Sequence, residues 1–354
     1  MLNMRDVARL AGVSTGTVSA VINDKGGVSI RLVKKVKAAM EALDYRPNQV
    51  ARSLKVQQTH TIGMVVPDVS NPFFTDVMHG VEDEARRNGY SVILCNANED
   101  PELERSQLEM LFSRRVDGVL LAPTSSRVGE ERLTQRRFPL VLFDRIPPGF
   151  AGAAVVTDSL SAAHAAAHHL ISLGHVRIAI IAGRLDLTNG LDRLEGFRKA
   201  LQEAHLPLRE EYLRKGNFQL ESGYRCGLEL MQLPQPPTAV FCCNNKMTLG
   251  LMRALGELRI PCPERVSVLG FDDFEWAANF SPRLTTIAQP TKEMGKQATA
   301  MLVGKMHREK GIENHGGDHV VVLSNELRIR DSTGPPFQGR PAREGKEMPL
   351  THSV

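Results

Sequence analysis

From Thr61 onward the chain alternates short apolar runs with amphipathic stretches, and this alternation limits its fold more than any other feature. The apolar runs lie at 62–66, 91–95, 117–121, 139–143, 177–182, 238–242, 266–271 and 284–288. Each is short and bounded, as a buried strand is. Helical periodicity fills the gaps, at about 75–88, 103–114, 159–173, 192–204, 221–231, 246–258 and 291–306. Such repetition predicts an α/β fold with parallel sheets, and the length suits two lobes. The first lobe is expected over about 61–157 and 288–318, the second over about 158–287 and 319–330. Crossovers fall near Val156–Ser159 and Ile287–Gln289. The tail, 334–354, is rich in proline and charge without apolar period, and is expected to be disordered.

Residues 1–60 are of another kind. They carry ten Lys+Arg against four Asp+Glu, a net of +6, while the whole chain has only +4. A basic head on a slightly acidic body points to a polyanion partner for the head alone. Residues 4–11 read as a helix, broken by Gly12, with Val13 in the turn and Ser14 as N-cap of a second helix at 15–23. A third helix runs from about Leu32 to Leu43. Two short helices joined by a tight glycine turn form the helix-turn-helix layout, whose second helix enters a DNA major groove. Gly12-Val13-Ser14-Thr15-Gly16 also matches the G-x-S-x-G pattern of hydrolases. That motif needs a strand before the serine; here a helix precedes it, so Ser14 reads as a cap. Pro47 ends the head, and Asn48 can cap a new helix too short to be stable alone. Such a segment orders when two copies meet on DNA.

Asp6-Val7-Ala8-Arg9-Leu10-Ala11-Gly12-Val13-Ser14, Thr17-Val18-Ser19 and Val21-Ile22-Asn23 resemble the head of the lactose-repressor (LacI/GalR) family. Pro47-Asn48 and Val50-Ala51-Arg52-Ser53-Leu54-Lys55 resemble its hinge helix. The resemblance implies a transcriptional regulator of repressor type, with a DNA-binding head at 1–47, a hinge helix and linker at 48–58, and a sugar-sensing core at 61–330. The DNA contacts it implies are Ser14, Thr15, Gly16, Thr17, Ser19, Ala20 and Asn23 on the recognition helix. On the hinge they are Asn48, Val50, Ala51, Leu54 and Lys55. Leu54 would wedge open a base step, with Lys55 steadying the groove beside it. Ala20 stands where an Arg or His is common, so tolerance is expected at the base pair it faces. One head reads half a palindrome, so a homodimer on a double-stranded operator is expected.

Ligands of open α/β sheets lie beyond the carboxyl ends of the strands. There the chain places Asn71-Pro72-Phe73-Phe74, Asp144-Arg145, Asn244, Asp272 and Gln289. Planar side chains that donate and accept in pairs suit a ring of hydroxyls, and Phe73 and Phe74 offer apolar faces. The pattern is similar to periplasmic ribose-type sugar-binding proteins, which adds Arg193 and Phe218. The implied pocket is Asn71, Phe73, Phe74, Asp144, Arg145, Arg193, Phe218, Asn244, Asp272 and Gln289. Ala122 departs from that pattern by lacking an amide, and Asn245 by replacing an acid. The implied effector is a small unphosphorylated sugar, ribose-like, that loosens DNA. A purine-responsive regulator of the same fold is the alternative. A carbohydrate-processing enzyme using Asp144 and Asp272 is the more distant one. Gly174-His175-Val176-Arg177-Ile178 also resembles a family signature, with a structural role expected for it.

Other classes find little support. The five cysteines show no metal-ligand spacing and read as reduced core thiols. No P-loop, dinucleotide fingerprint or zinc motif occurs, so neither cofactor nor metal is expected. No stretch approaches the ~20 apolar residues of a membrane helix, and the N-terminus lacks an apolar signal segment. A cytoplasmic protein without membrane partners is expected.

Overall fold

The computed structural model describes residues 2–22, 26–45, 58–126, 138–308 and 319–337. The chain divides into two compact units, Met1–His60 and Thr61–Val354. The hinge segment at 48–57, with Asn48, Val50, Ala51, Leu54 and Lys55, lies outside the described residues, as does Asn23.

The head holds three helices, α1 (Met4–Ala11), α2 (Thr15–Ile22) and α3 (Ile30–Ala42). A capping box opens α1: the Asn3 side chain accepts the Arg5 N–H at 2.8 Å, and the Asp6 carboxylate accepts the Asn3 N–H at 3.0 Å. Gly12 ends it at φ 64°, a conformation in which a Cβ would be strained. Val7, Ala8, Ala11, Val18, Val36 and Ala39 close a small core between the helices.

The second unit is built on two six-stranded sheets. The first contains β1 (Thr61–Val66), β2 (Ser91–Asn96), β3 (Gly118–Leu121), β4 (Leu140–Phe143), β5 (Ala154–Thr157) and β11 (Val320–Leu323). Its order is β11-β5-β4-β3-β1-β2. The second contains β6 (Ile178–Ala182), β7 (Leu213–Lys215), β8 (Ala239–Cys242), β9 (Ser267–Phe271), β10 (Thr285–Ala288) and β12 (Glu326–Arg328). Its order is β12-β10-β9-β8-β6-β7. All pairings are parallel except that of β10 with β12. Around the first sheet lie α4 (Pro72–Arg87), α5 (Pro101–Ser113) and α10 (Thr291–Arg308). Around the second lie α6 (Ser159–Ser172), α7 (Thr188–Glu203), α8 (Leu220–Met231) and α9 (Asn245–Glu257). Central strands are buried along their whole length, as parallel strands covered on both faces must be. Helix pairs cross at glycines. A Cβ on Gly80 of α4 would strike the Lys292 carbonyl of α10, and one on Gly250 of α9 the Leu220 carbonyl of α8.

Four sequence expectations are corrected. β11 pairs with β5, Val320 opposite Ala154, so 320–323 belong to the first lobe and the last crossover falls between Leu323 and Glu326. A short edge strand carries no local mark of which sheet it joins. The helix expected at 192–204 begins at Thr188, and that expected at 75–88 begins at Pro72, a first-turn position that proline favours. Residues 334–337 are packed rather than loose: the Gly334 carbonyl accepts from His175 Nε2 at 2.8 Å, and Arg265 stacks 4.5 Å from the Phe337 ring centroid. Residues 338–354 lie outside the described ones.

In both sheets the strand order reverses at one place, between β1 and β3 and between β6 and β8. The loops leaving these strand ends are where a doubly wound sheet binds its ligand. The chain crosses between sheets after β5, after β10 and after β11, so the two sets of loops can shut on each other.

Candidate functional site

The surface of the head expected to meet DNA starts at Ser14. Its Oγ accepts the Thr17 N–H at 3.1 Å, which makes it the cap of α2. Ser14, Thr15 and Gly16 are exposed, and Thr17, Ser19 and Ala20 are partly so, while Val18 anchors the helix inward. Arg5, Arg9, Arg31, Lys34, Lys35 and Lys37 are all exposed, so the basic character of this segment is displayed on its surface. Hinge residues expected to touch DNA lie outside the described residues.

In the core, all ten residues expected around a ligand line one cavity, together with Asn189. The cavity measures ≈20 Å³, room for about one water molecule, because its walls are drawn together. Asn71 caps α4, its Oδ1 accepting the Phe73 N–H at 3.0 Å. Phe73 and Phe74, in the first turn that follows, face each other edge-on at 5.0 Å and also pack into the first lobe's core. Asp144 and Arg145 leave the end of β4. Arg145 Nε donates to Asp144 at 3.2 Å, and its terminal nitrogens grip the Glu99 carboxylate at 2.9 and 3.0 Å. The same guanidinium lies 5.8 Å from the Phe74 ring centroid and 5.3 Å from that of Phe218.

The second lobe contributes Arg193 from α7, which donates to the Cys243 carbonyl at 2.6 Å and stacks 3.6 Å over Phe271. Asn244 caps α9 through Oδ1 and donates from Nδ2 to the Phe218 carbonyl at 2.8 Å. Gln289 spans the crossover: its amide donates to Asp272 at 2.6 Å, and its oxygen accepts from Thr157 at 2.6 Å. It follows β10 of the second sheet, so it is shared between the lobes rather than part of the first. Asp144, Phe218 and Asp272 all sit at positive φ, 63°, 67° and 72°. Three non-glycine residues held in that sparsely populated region around one cavity mark a site whose geometry outranks local backbone comfort.

The electrostatics are those of a shut pocket. Burial raises the carboxyl of Asp144 above its ordinary range, although Arg145 and Arg193 oppose it. Burial likewise raises that of Asp272 against the pull of Arg193. Burial pulls the Arg145 guanidinium down, but Glu99 and Asp144 outweigh it and leave its pKa raised. Around the rim, polar ties join the lobes. Asn245 Nδ2 donates to Asn71 Oδ1 at 2.8 Å, and Lys246 Nζ reaches Asp68 at 2.6 Å. Thr188 Oγ1 accepts the Ile146 N–H at 3.2 Å. Asn245, one of the two departures, thus faces the opposite lobe; Ala122, the other, is buried in the first lobe's core.

Sequence reasoning missed Asn189 and Glu99. Extending α7 back by one turn would have set Asn189 four residues before Arg193, on the same helix face. Glu99 had no such signal, since it follows β2 in a turn where Asn98 and Glu99 take φ 52° and 55°. His175 is buried and bonded to Thr238 and Ser267, in keeping with a structural role. All five cysteines are free thiols, with burial pushing Cys243 and Cys262 up to about 12. Among the described residues no His, Cys, Asp or Glu cluster could hold a metal ion, and no helix is long and apolar enough to cross a membrane.

This architecture has known counterparts. The profile of the bacterial regulatory proteins of the lacI family matches residues 3–48, and that of the periplasmic binding protein-like domain matches 167–333. The ribose operon repressor of Escherichia coli K12 is 40% identical over 308 residues, covering 86% of this chain and 93% of that protein. The chain belongs to the lacI family. It is a DNA-binding repressor of that family, with a helix-turn-helix region followed by a periplasmic-binding-protein-like core. The transcriptional repressor PurR of Haemophilus influenzae PittEE is 39% identical over 336 residues, covering 94% of this chain and 98% of that one. A lacI-family regulator from Enterococcus faecium solved with bound ribose shares 32% identity at a TM-score of 0.69, covering 78% of this chain and 99% of that one. The helix-turn-helix head and the parallel-sheet core expected from the sequence thus belong to the family.

Proposed function

We propose that this lacI-family repressor takes a ribose-like monosaccharide between its core lobes and that the sugar loosens its hold on operator DNA. The observation that carries the reading is the make-up of the cavity. Two buried carboxylates, two arginines and a set of amides from both lobes converge beside Phe73, Phe74 and Phe218. Carboxylates and amides accept from hydroxyls, arginines donate to them, and phenyl faces suit the C–H side of a sugar ring. Two acids against two arginines disfavour a phosphate, which prefers denser cationic donors or a helix N-terminus. The E. coli relative named for ribose and the Enterococcus neighbour with ribose bound support the same class.

A cavity of ≈20 Å³ cannot admit a pentose, so entry requires the lobes to part and re-close on the ligand. Contacts from both lobes then give the ligand its differential affinity for one lobe arrangement, which is what shifts an equilibrium. In a homodimer whose hinges meet in one minor groove, that shift alters how the two hinges can order.

The PurR relative, 39% identical over a larger share of the chain, makes a purine effector the second reading. Calorimetry with ribose, arabinose, xylose, hypoxanthine and guanine separates them. Operator titration with the best binder then fixes the sign. Binding of a purine and of no pentose overturns the sugar reading; a pentose that tightens DNA overturns the direction.

A further inference from the structure

We propose that Glu99 is a specificity-determining residue that fills an anion slot between Arg145 and Arg184, so that the site takes neutral sugars and turns away their acid and phosphate forms. The inference rests on the sugar reading above and deepens it. Glu99 is no part of the cavity wall; it stands behind Arg145, which is. Two arginines, one from each lobe, converge on its carboxylate. Left open, such a pair would draw anions, because the guanidinium fork matches carboxylate and phosphate better than any hydroxyl.

The slot has the geometry of a bound carboxylate. Arg145 Nη2 donates to Glu99 Oε1 at 2.9 Å, and Nη1 donates to Oε2 at 3.0 Å. Oε2 is shared: Arg184 Nη1, from the loop after β6, reaches it at 3.5 Å. The remaining donors are largely spoken for. Arg145 Nε goes to Asp144, and its Nη1 also meets the Pro123 carbonyl at 3.5 Å. Arg184 Nε and Nη2 both go to Asp186, at 3.0 and 2.5 Å. The Glu99 and Arg145 side chains are 15% and 4% exposed, so their pairing is shielded from water, where such attraction is strongest.

Both sides of the slot are fixed by backbone. Asn98 and Glu99 take φ 52° and 55°, two successive non-glycine residues in the left-handed region. Strain of that kind persists only where the surrounding structure over-determines it. Here the Glu99 N–H donates to the Pro67 carbonyl at 2.7 Å, which pins the turn across the end of β1. On the second lobe, α7 packs so closely on Arg184 that a Cβ on Gly190 would strike its carbonyl. A tethered carboxylate competes at high effective concentration with any free anion. Removing it leaves the buried Arg145 guanidinium short of a partner, a state that favours uptake of an anion from solution.

Thermal melts of the full chain in sodium chloride, sodium formate and inorganic phosphate, at matched ionic strength, test the slot without a sugar. Formate and phosphate should raise the Tm of Glu99→Ala above its value in chloride. They should leave the parent unmoved, and Glu99→Gln too, since its amide still fills the slot. A Glu99→Ala that responds no more than the parent overturns the proposal, since a merely structural acid gives no such anion response. Calorimetry with ribose, ribonate and ribose 5-phosphate tests the selectivity. The parent should prefer ribose, and both variants should narrow that preference about ten-fold. Glu99→Gln keeps the shape of the side chain, so it reports even where the alanine variant fails to fold. An unchanged preference in the variants, or a parent that binds ribose 5-phosphate more tightly than ribose, overturns the assignment of Glu99 alone. A parent that binds none of ribose, arabinose and xylose overturns the sugar reading, and the anion melts then decide the slot by themselves.

Discussion

Replacing Asp272 by asparagine should make the ligand-free protein more stable while spoiling its binding. Asp272 is 5% exposed, and burial raises its carboxyl above the ordinary range despite Arg193. The folded state therefore favours the neutral form. Stability from such a group is fully present below the unfolded pKa of about 3.9 and is lost as pH rises through the higher folded value. Asparagine mimics the neutral form at every pH and tolerates the positive φ of 72° at this position. Its carbonyl can keep the bond from Gln289 at 2.6 Å, while the weaker contact to the Asn245 N–H at 3.4 Å is forfeited. The gain at pH 7 is ~1.4 kcal/mol for each unit by which burial lifts the carboxyl, less ~1 kcal/mol for that contact. Each net 1 kcal/mol of gain raises Tm by roughly 2–4 °C in a unit of this size. The same change removes a charged acceptor, worth ~1.5–3 kcal/mol, so affinity for the proposed sugar should drop about 10- to 150-fold. Thermal melts of parent and variant between pH 4 and 7, with calorimetry at pH 7, test both halves. At pH 4 the variant should melt slightly below the parent, by the forfeited contact alone, and it should gain on the parent as pH rises. A variant that melts lower than the parent at pH 7, or a gap that ignores pH, would refute the reasoning.

The capping role of Ser14 predicts that Ser14→Ala costs the head ~1 kcal/mol and weakens operator binding, while ligand calorimetry on the core is unchanged. Gly80→Ala drives a methyl into the Lys292 carbonyl where α4 crosses α10, and should cost about 1–3 kcal/mol; a melt like the parent's would show that the crossing can relax. Lys246→Met removes a partly buried tie from the second lobe to Asp68 and Ser70 of the first. It should loosen closure, seen as a larger radius of gyration in small-angle scattering and a several-fold weaker ligand.

The sequence by itself determined the fold class, because strand and helix periodicities are local and repeat over the whole core. It also determined the recognition turn, since Gly12 and Ser14 act on their immediate neighbours: one takes a positive φ, the other caps the next turn. Eight of the ten cavity residues were legible, because a parallel sheet delivers the end of every strand to one edge; Arg193 and Phe218 came only through the family resemblance. What it could not determine was anything set by pairing across sequence distance. Whether 320–323 joined the first sheet or the second depended on an edge register with β5, and no local pattern encodes that. Glu99 became the bidentate partner of Arg145 only when two loops 46 residues apart were brought together. Asn189 likewise looked like an ordinary residue before a helix until the start of α7 and the shut cleft left its oxygen buried and unpaired. Periodicity and capping are written in nearest neighbours; hydrogen-bond satisfaction belongs to the whole packed chain, and only the tertiary structure decides it.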